Sequence, residues 1–403
     1  MGGRIMASTI NSSTSNGIVI TSDTSGEIEL QANGVTKAKV TANGLQDANG
    51  NSLRGGSYRN LIINGDMQIA QRGTSFANAN GYTLDRWRYA KNNSGVVTVT
   101  QDTDAPSGQG FSKSLKIAVT TADTSIGTSE YGLLTYFMEG QNLQHLKYGT
   151  SNAEKITVSF WVKSNKTGTY CVAAQKLDTT RYDYVTEYTI NSANTWEKKT
   201  ITIAPDSNIQ ASSGVIDNDN GIGLALVFAL ADGADRQGTN ETWNTSLPST
   251  STSNQVNFLD STSNYINITG AQLEVGEGAS NFEFLPYDVQ WLRCQRYYEK
   301  SWNDGTAVGS TGDTGSYMFL TNRNPGNGHT ILPFKVKKRA NATVALYATN
   351  SGNVGYGSNL DAGGVDTGLL PSRIGESGAT VYTTSSIALG NFIQFHYVAD
   401  AEL

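Results

Sequence analysis

Apolar residues along the chain fall into short alternating runs parted by clusters of Gly, Asn, Ser and Thr. "SLKIAVT" alternates Leu115, Ile117 and Val119, and "KITVSFWVKS" sets Ile156, Val158, Phe160 and Val162 against Thr157, Ser159, Trp161 and Lys163. A period of two sends these sets to opposite faces of a strand. "TWEKKTITIA" and "YINITGAQLEVG" repeat the pattern, whereas "GIGLALVFALA" is apolar without a break, as in a strand buried on both faces. Strands with turn residues at this spacing predict a two-sheet jelly-roll sandwich over residues 58–290. "NLIINGDMQIA" opens it, with Leu61, Ile62 and Ile63 starting a buried strand, and Trp87 and Trp196, at strand starts, are expected in its core.

Two further regions flank the sandwich. "GSYMFLTN", "HTILPFKVKKRANATVALYAT", "TVYTTSSIALG" and "NFIQFHYVADAEL" predict a smaller β domain over 291–403. At the junction, Pro286 precedes "YDVQWLRCQRYYEK", which places Val289, Leu292 and Arg296 on one helical face and Trp291 and Tyr298 on the next. Proline is tolerated at a helix start, so a short helical strut is expected near 287–300, with Trp291, Leu292 and Tyr298 packing both neighbours. A ligand site in this stretch is the alternative. Residues 1–57 repeat Asn-Gly at 16–17, 33–34, 43–44 and 49–50, the dipeptide of type I′ hairpin turns. Their apolar residues, such as Ile18, Ile20, Leu30 and Val40, are too few for a closed core, so these hairpins need copies of themselves or a docking surface. The expected fold class is all-β throughout.

Composition narrows the partners. Charged residues make up 16% of 403, against about 25% in ordinary globular chains, and Gly is raised at 43. Solubility therefore rests on neutral polar side chains. A net charge of -6 carries no basic footprint for phosphate, which argues against nucleic acid. No run approaches the roughly 20 apolar residues of a membrane span. "MGGRIMASTINSSTSNG" has no apolar stretch and is read as lacking a secretory signal. Cys171 and Cys294, far apart and in no ligand motif, read as free thiols. A surface of extracellular type without an export signal fits a virion component made in a host cytoplasm and released by lysis.

"NLIINGDMQIAQRGTSF" followed by "YTLDRWRY" resembles the start of a domain common in bacteriophage tail-fibre and related virion proteins, itself similar to carbohydrate-binding jelly-roll modules. "ITGAQLEVGEGASNFEFLPYDVQWLRCQRYYEKS" resembles the end of that domain and its junction with a C-terminal piece, and "VADAEL" the ending of such pieces. The resemblance implies a trimeric or otherwise oligomeric virion protein, a homotrimer being expected, joined to other virion proteins through residues 1–57. Its outer domains would bind host surface polysaccharide. A head fibre or capsid decoration is the structural alternative, and a glycan depolymerase the catalytic one.

Glycan binding calls for aromatic faces with polar partners. In "RYDYVTEY", Tyr182, Tyr184 and Tyr188 project to one face of a strand, suited to a glycan, to a subunit interface or to plain packing. Trp161, on the polar side of its strand, and Trp243, in a polar loop, are further candidate platforms. The likeness to carbohydrate-binding modules also implies a structural calcium near Asp66 and Glu274, in the first and last strands of the sandwich. No other cofactor is expected. Catalysis is not expected either: no carboxylate pair stands out, no Gly-x-Ser-x-Gly elbow accompanies His145, His329 or His396, and zinc spacing is absent.

Overall fold

The computed structural model describes residues 27–41, 44–47, 58–245, 248–321 and 328–403. The chain divides into two compact units, 1–57 with 277–281, and 58–276 with 282–403. In the first, Ile28–Ala32, Val35–Thr41 and Gly44–Asp47 form a three-stranded antiparallel meander. Asn33 and Gly34 sit at φ of 54° and 73°, the pair of positive angles a type I′ turn requires. Leu30, Val35, Val40 and Leu45 are exposed. The Asn-Gly pairs at 16–17 and 49–50, Asn43, Ile18 and Ile20 lie outside the described residues.

The second unit holds a jelly-roll β-sandwich of two antiparallel sheets. One has six strands, in the order Glu197–Ile203, Ile156–Ser164, Tyr265–Val275, Ser114–Thr121, Val96–Asp102 and Ser75–Ala77. The other has seven: Thr242–Asn244, Tyr182–Ile190, Gly168–Lys176, Ile222–Asp232, Tyr131–Glu139, Trp87–Lys91 and Gly81–Tyr82. Between them Phe160 meets Phe228 edge-on at 4.9 Å, and Trp87 meets Tyr136 at 5.2 Å. Offset and edge-on rings of this kind add to the burial of their area. Leu61, Ile62 and Ile63 do not start a strand. Asn60 and Asn64 side chains capture backbone groups there instead, Asn60 Oδ1 accepting from Ile62 N and Leu273 N, and Asn64 Oδ1 from Ile69 N. Trp196 is only half-buried, its Nε1 donating to Asp104 Oδ1 at 3.0 Å.

The unbroken apolar strand Ile222–Asp232 is covered on both sides, as its sequence demands. Leu224, Leu226 and Phe228 face the inter-sheet core, while Ala225, Val227 and Ala229 join Cys171, Ala173 and Val185 on the outer face. That outer face lies under the segment around Ser249–Thr252, which is buried along its length. Ser249 N donates to Asp183 Oδ2 at 2.8 Å, and Thr250 Oγ1 to Asp232 Oδ2 at 2.6 Å. Burial pushes the Asp232 carboxyl up to about 7, against the lowering effects of Thr250 and Arg236. Both cysteines are free and buried.

A third sheet, of eight strands, is built around Phe392–Asp400, which pairs with Tyr298–Lys300, Tyr317–Leu320, Thr343–Ala348 and Tyr356–Asn359. Its core gathers Leu332, Leu346, Val381, Ile393, Phe395 and Tyr397. The helix Tyr287–Gln295 begins after Pro286 and leads directly into Tyr298–Lys300. Cys294 and Gln290, one turn apart, face the sandwich, where Gln290 bonds both Asn64 N and Asp66 Oδ2. Trp291 is half-buried against the same core and stacks on Tyr287 at 5.9 Å. Tyr298 is buried with the Arg72 guanidinium 3.7 Å above its ring. Leu292 departs from the expected packing role. It is 51% exposed, because it falls on the side of the helix away from Gln290 and Cys294.

An ion network ties the chain's last residues to the sandwich. Glu402 pairs with Arg86 and lies 3.3 Å from Arg72, which also reaches Asp400 at 3.1 Å. Arg86 and Glu402 are almost wholly buried, and Arg86 has a φ of 71°, a backbone state that costs a non-glycine residue about 1–2 kcal/mol. Buried charges persist only when paired and hydrogen-bonded, and this pairing fixes Arg86 in place.

Candidate functional site

The three tyrosines share a face, as alternation requires, but it is the inner face. Tyr182, Tyr184 and Tyr188 are 6–8% exposed, with Tyr188 edge-on to Phe160 at 5.1 Å and stacked on Tyr170 at 5.9 Å. They have no surface to offer a glycan or a subunit. Trp243 is likewise core, 3% exposed: its Nε1 donates to Ala204 O at 2.9 Å, and its ring meets Tyr184 at 5.4 Å. The polar sequence around Trp243 concealed this, because those polar side chains bond one another while the ring turns inward.

Trp161 stays on the outer face of the six-stranded sheet, half-buried. A bulge in the pairing of Ile156–Ser164 with Tyr265–Val275 places Gly270 beside it at a φ of 60°. A side chain at Gly270 would sit 2.6 Å from the Phe111 ring and 3.1 Å from Trp161, so only glycine fits. Asp66 and Glu274 are not brought together. The run 60–66 lies antiparallel to 271–274, through Leu61 N to Leu273 O and Ala271 N to Gly65 O, which sets the two acids at opposite ends. Each has protein partners, Gln290 for Asp66, and Gln272 with the more distant Arg59 for Glu274. Burial raises the Asp66 carboxyl, opposed by the Gln290 hydrogen bond. Among the described residues no cluster of three His, Cys, Asp or Glu side chains forms a metal site.

The concave site lies elsewhere, where the strand Tyr131–Glu139 ends against the helix Tyr287–Gln295. A cavity of about 350 Å³ opens there, lined by Tyr58, Tyr136, Phe137, His145, Arg293 and Tyr297 among others. A second, about 410 Å³ and almost wholly polar, is lined by Asn220, Lys337, Arg339 and Glu376. Asn142 and Arg296 line both, so the two hollows adjoin at these side chains along one grooved surface. Such volumes suit a small ligand of one or a few rings.

Local sequence explains the groove's shape. The strand turns sharply at Gly140, where any side chain would meet Asp217 O at 2.3 Å, and two short 3-10 turns, Gly140–Asn142 and Gln144–Leu146, form one wall. Buried Glu139 sits at the base. Arg296 donates to it in a fork, Nε to Oε1 at 3.0 Å and Nη2 to Oε2 at 2.8 Å, and the Tyr297 hydroxyl and Gln141 Nε2 complete its shell. Burial alone would raise the Glu139 carboxyl, but the hydrogen bonds from Arg296 and Tyr297 hold it below its ordinary value. Arg86 closes the floor, its guanidinium 3.5 Å over the Tyr297 ring and its Nη2 donating to Phe137 O at 2.6 Å.

The rim is freer. Tyr58 is 57% exposed, its backbone N–H held by Glu283 Oε1 at 2.6 Å, and the Arg293 guanidinium stands 5.7 Å from its ring. Arg293 has no carboxylate partner among the described residues. On the far side Arg339 donates to the backbone oxygens of Ala401, Asn220 and Glu402, and its own N–H donates to Arg296 O at 3.1 Å. Sequence reading had taken this arginine-rich stretch chiefly as a strut. The pair Arg293 and Arg296, three apart on a helix, together with the "KVKKR" run at 335–339, was the available signal.

No protein-family model matches the chain, and no curated protein matches it. Solved structures give weak likenesses. The enzymatically active domain of tailspike protein 4 of bacteriophage CBA120 aligns at 14% identity and a TM-score of 0.30, over 55% of this chain and 22% of its own. A family 11 carbohydrate-binding module from Clostridium thermocellum, in complex with a mixed-linked tetrasaccharide, aligns at 11% and 0.27, over 52% of this chain and 98% of the module. A putative sugar-binding protein from Bacteroides thetaiotaomicron aligns at 11% and 0.30, over 54% and 99%. The chain thus spans about a fifth of the tailspike domain's length. At such scores the architecture rests on the chain's own strand order and packing.

Proposed function

We propose that this chain is a bacteriophage virion fibre protein, carried on the tail, that binds host surface glycan in the groove between the sandwich and the helix Tyr287–Gln295. One observation carries the binding role. A concave site of saccharide size combines ring faces at Tyr58 and Phe137 with guanidinium and amide donors at Arg293, Arg296 and Asn142. Rings cover the apolar face of a pyranose, and the donors engage its hydroxyls. Phe137 on its strand and Arg293 on its helix are set by regular structure, which lowers the entropy cost of ordering them on binding.

The protein binds glycan in this reading and does not cleave it. Among the described residues that line the groove Glu376 is the one carboxylate, tied to Lys337 at 2.8 Å, whereas glycoside hydrolysis uses a facing pair. Copies associate as a homotrimer through the first unit, whose exposed Leu30, Val35, Val40 and Leu45 leave a three-stranded meander marginal by itself. Weak saccharide contacts then multiply across subunits.

The test has two parts. Labelled antibody to the full chain, viewed on whole particles by electron microscopy, is expected at the tail, and labelling of the head would replace the tail assignment with a head fibre. Purified full chain is expected to bind host envelope polysaccharide without releasing reducing ends. Release of reducing ends would make it a hydrolase.

A further inference from the structure

We infer that the groove selects acidic saccharides, those bearing a carboxylate such as uronic or nonulosonic acids, a specificity that rests on the glycan-binding reading above. The chain as a whole is acidic, at -6, yet the groove's lining runs the other way. Among the described residues, six cationic side chains line its two cavities against the single carboxylate of Glu376. Four of these cations are already matched: Arg86 by Glu402, Arg296 by Glu139, Lys337 by Glu376 and Lys338 by Glu299. Arg293 and Arg339 are not, having only ring and carbonyl neighbours among the described residues.

Those two uncompensated charges are placed with some order. Arg293 lies one helical turn before Arg296, which lines both cavities, and Arg339 lines the second, its backbone N–H bonded to Arg296 O. Glu139 holds Arg296 as a fixed fork, which shapes the centre without adding net charge. A carboxylate-bearing ring seated on Tyr58 would bring its acid within reach of Arg293, the guanidinium being the side chain best matched to a planar carboxylate. Neutral sugars would leave both charges unanswered while still displacing their water. The long-range field of the acidic surface repels polyanions, so the local positive groove also sets where on the protein such a polymer can land.

The experiment is binding of the full-length chain to an array of matched pairs: uronate oligosaccharides beside their methyl esters, and sialylated glycans beside their desialylated forms. Signal confined to the acid members, falling as salt rises from about 0.1 to 1 M, is the expected result. Arg293→Gln should weaken the acid signal by about ten-fold or more at an unchanged melting temperature, a loss of the size expected for one charge-assisted hydrogen bond. If Arg293→Gln proves unstable, Arg293→Lys keeps the charge without the fork and should narrow the ratio between each acid and its ester. Equal binding to acids and esters overturns the acidic specificity and leaves the glycan reading standing. An acid signal that Arg293→Gln and Arg293→Lys both leave intact overturns the placement in this groove. Absence of signal on every pair overturns both readings.

Discussion

Trp243 gives the sharpest test of where the aromatic residues work. Its ring is buried between Tyr184 and Tyr148, at 5.4 and 6.2 Å, and its Nε1 donates to Ala204 O. A tryptophan buries about 200–250 Å², which at about 25 cal/mol per Å² is about 5–6 kcal/mol. Allowing for the retained Cβ and for burial already present in the denatured chain brings the cost of Trp243→Ala to about 3–5 kcal/mol. Trp243→Phe keeps most of the packing and leaves the Ala204 carbonyl without its donor, at about 1–3 kcal/mol. Thermal and denaturant unfolding of the full chain should therefore rank wild type above Phe above Ala. Glycan retention per folded molecule should stay constant across the three. If Trp243→Ala kept its stability and lost retention, the ring would be a binding platform and the packing argument would fail.

Other perturbations probe the remaining parts. Glu402→Gln leaves buried Arg86 without a counter-charge and should cost about 3–5 kcal/mol in denaturant titration, whereas Glu154→Gln, at the exposed pair with Lys147, should leave the melting temperature where it was. The Asp232 carboxyl, raised by burial to about 7, takes up a proton in the folded state that the unfolded chain does not bind until near its ordinary value. Its contribution to stability is therefore complete at low pH and is lost as pH rises through about 7, at no more than about 1.4 kcal/mol per pH unit. Asp232→Asn should flatten that part of the stability profile between about pH 4 and 7, measured by denaturant midpoints, and an unchanged slope would show that other groups set it. Trp291→Ala should open cleavage sites near residue 300 in limited proteolysis, while Leu292→Ala, on the exposed side of the same helix, should not.

The strands were legible because their periodicity is a backbone property. Apart from "NLIINGDMQIA", the quoted alternating runs in the sandwich recur as strands, and "GIGLALVFALA" declared its two buried faces directly. What periodicity could not say is which face of a strand meets the core. Tyr182, Tyr184 and Tyr188 alternate correctly, yet their opposite face carries Asp183 and Glu187, which are covered by a segment more than 60 residues later in the chain, at Ser249 and Thr252, with Arg181 also pairing Asp183. Polar residues on both sides made the inner face look like the outer one. The groove was hidden for a related reason. Arg293 and Arg296 meet the end of Tyr131–Glu139 only in the folded chain, and Glu139 gives no sign in sequence of being the acid that holds Arg296. In the stretch 287–300, expected as a strut, Trp291 packs on the sandwich core and Tyr298 is buried beside Trp302 and Val398, while the open side of the same element lines the groove.

Adsorption of the labelled full-length chain to host cells, before and after periodate oxidation of their surface glycans, tests the central claim most directly. Wild type is expected to adsorb to untreated cells and to lose adsorption on oxidised ones. A Tyr58→Ala, Arg293→Gln double variant with an unchanged melting temperature is expected to bind untreated cells about ten-fold or more weakly. Adsorption that survives periodate, or a double variant that adsorbs as wild type does, would contradict the account.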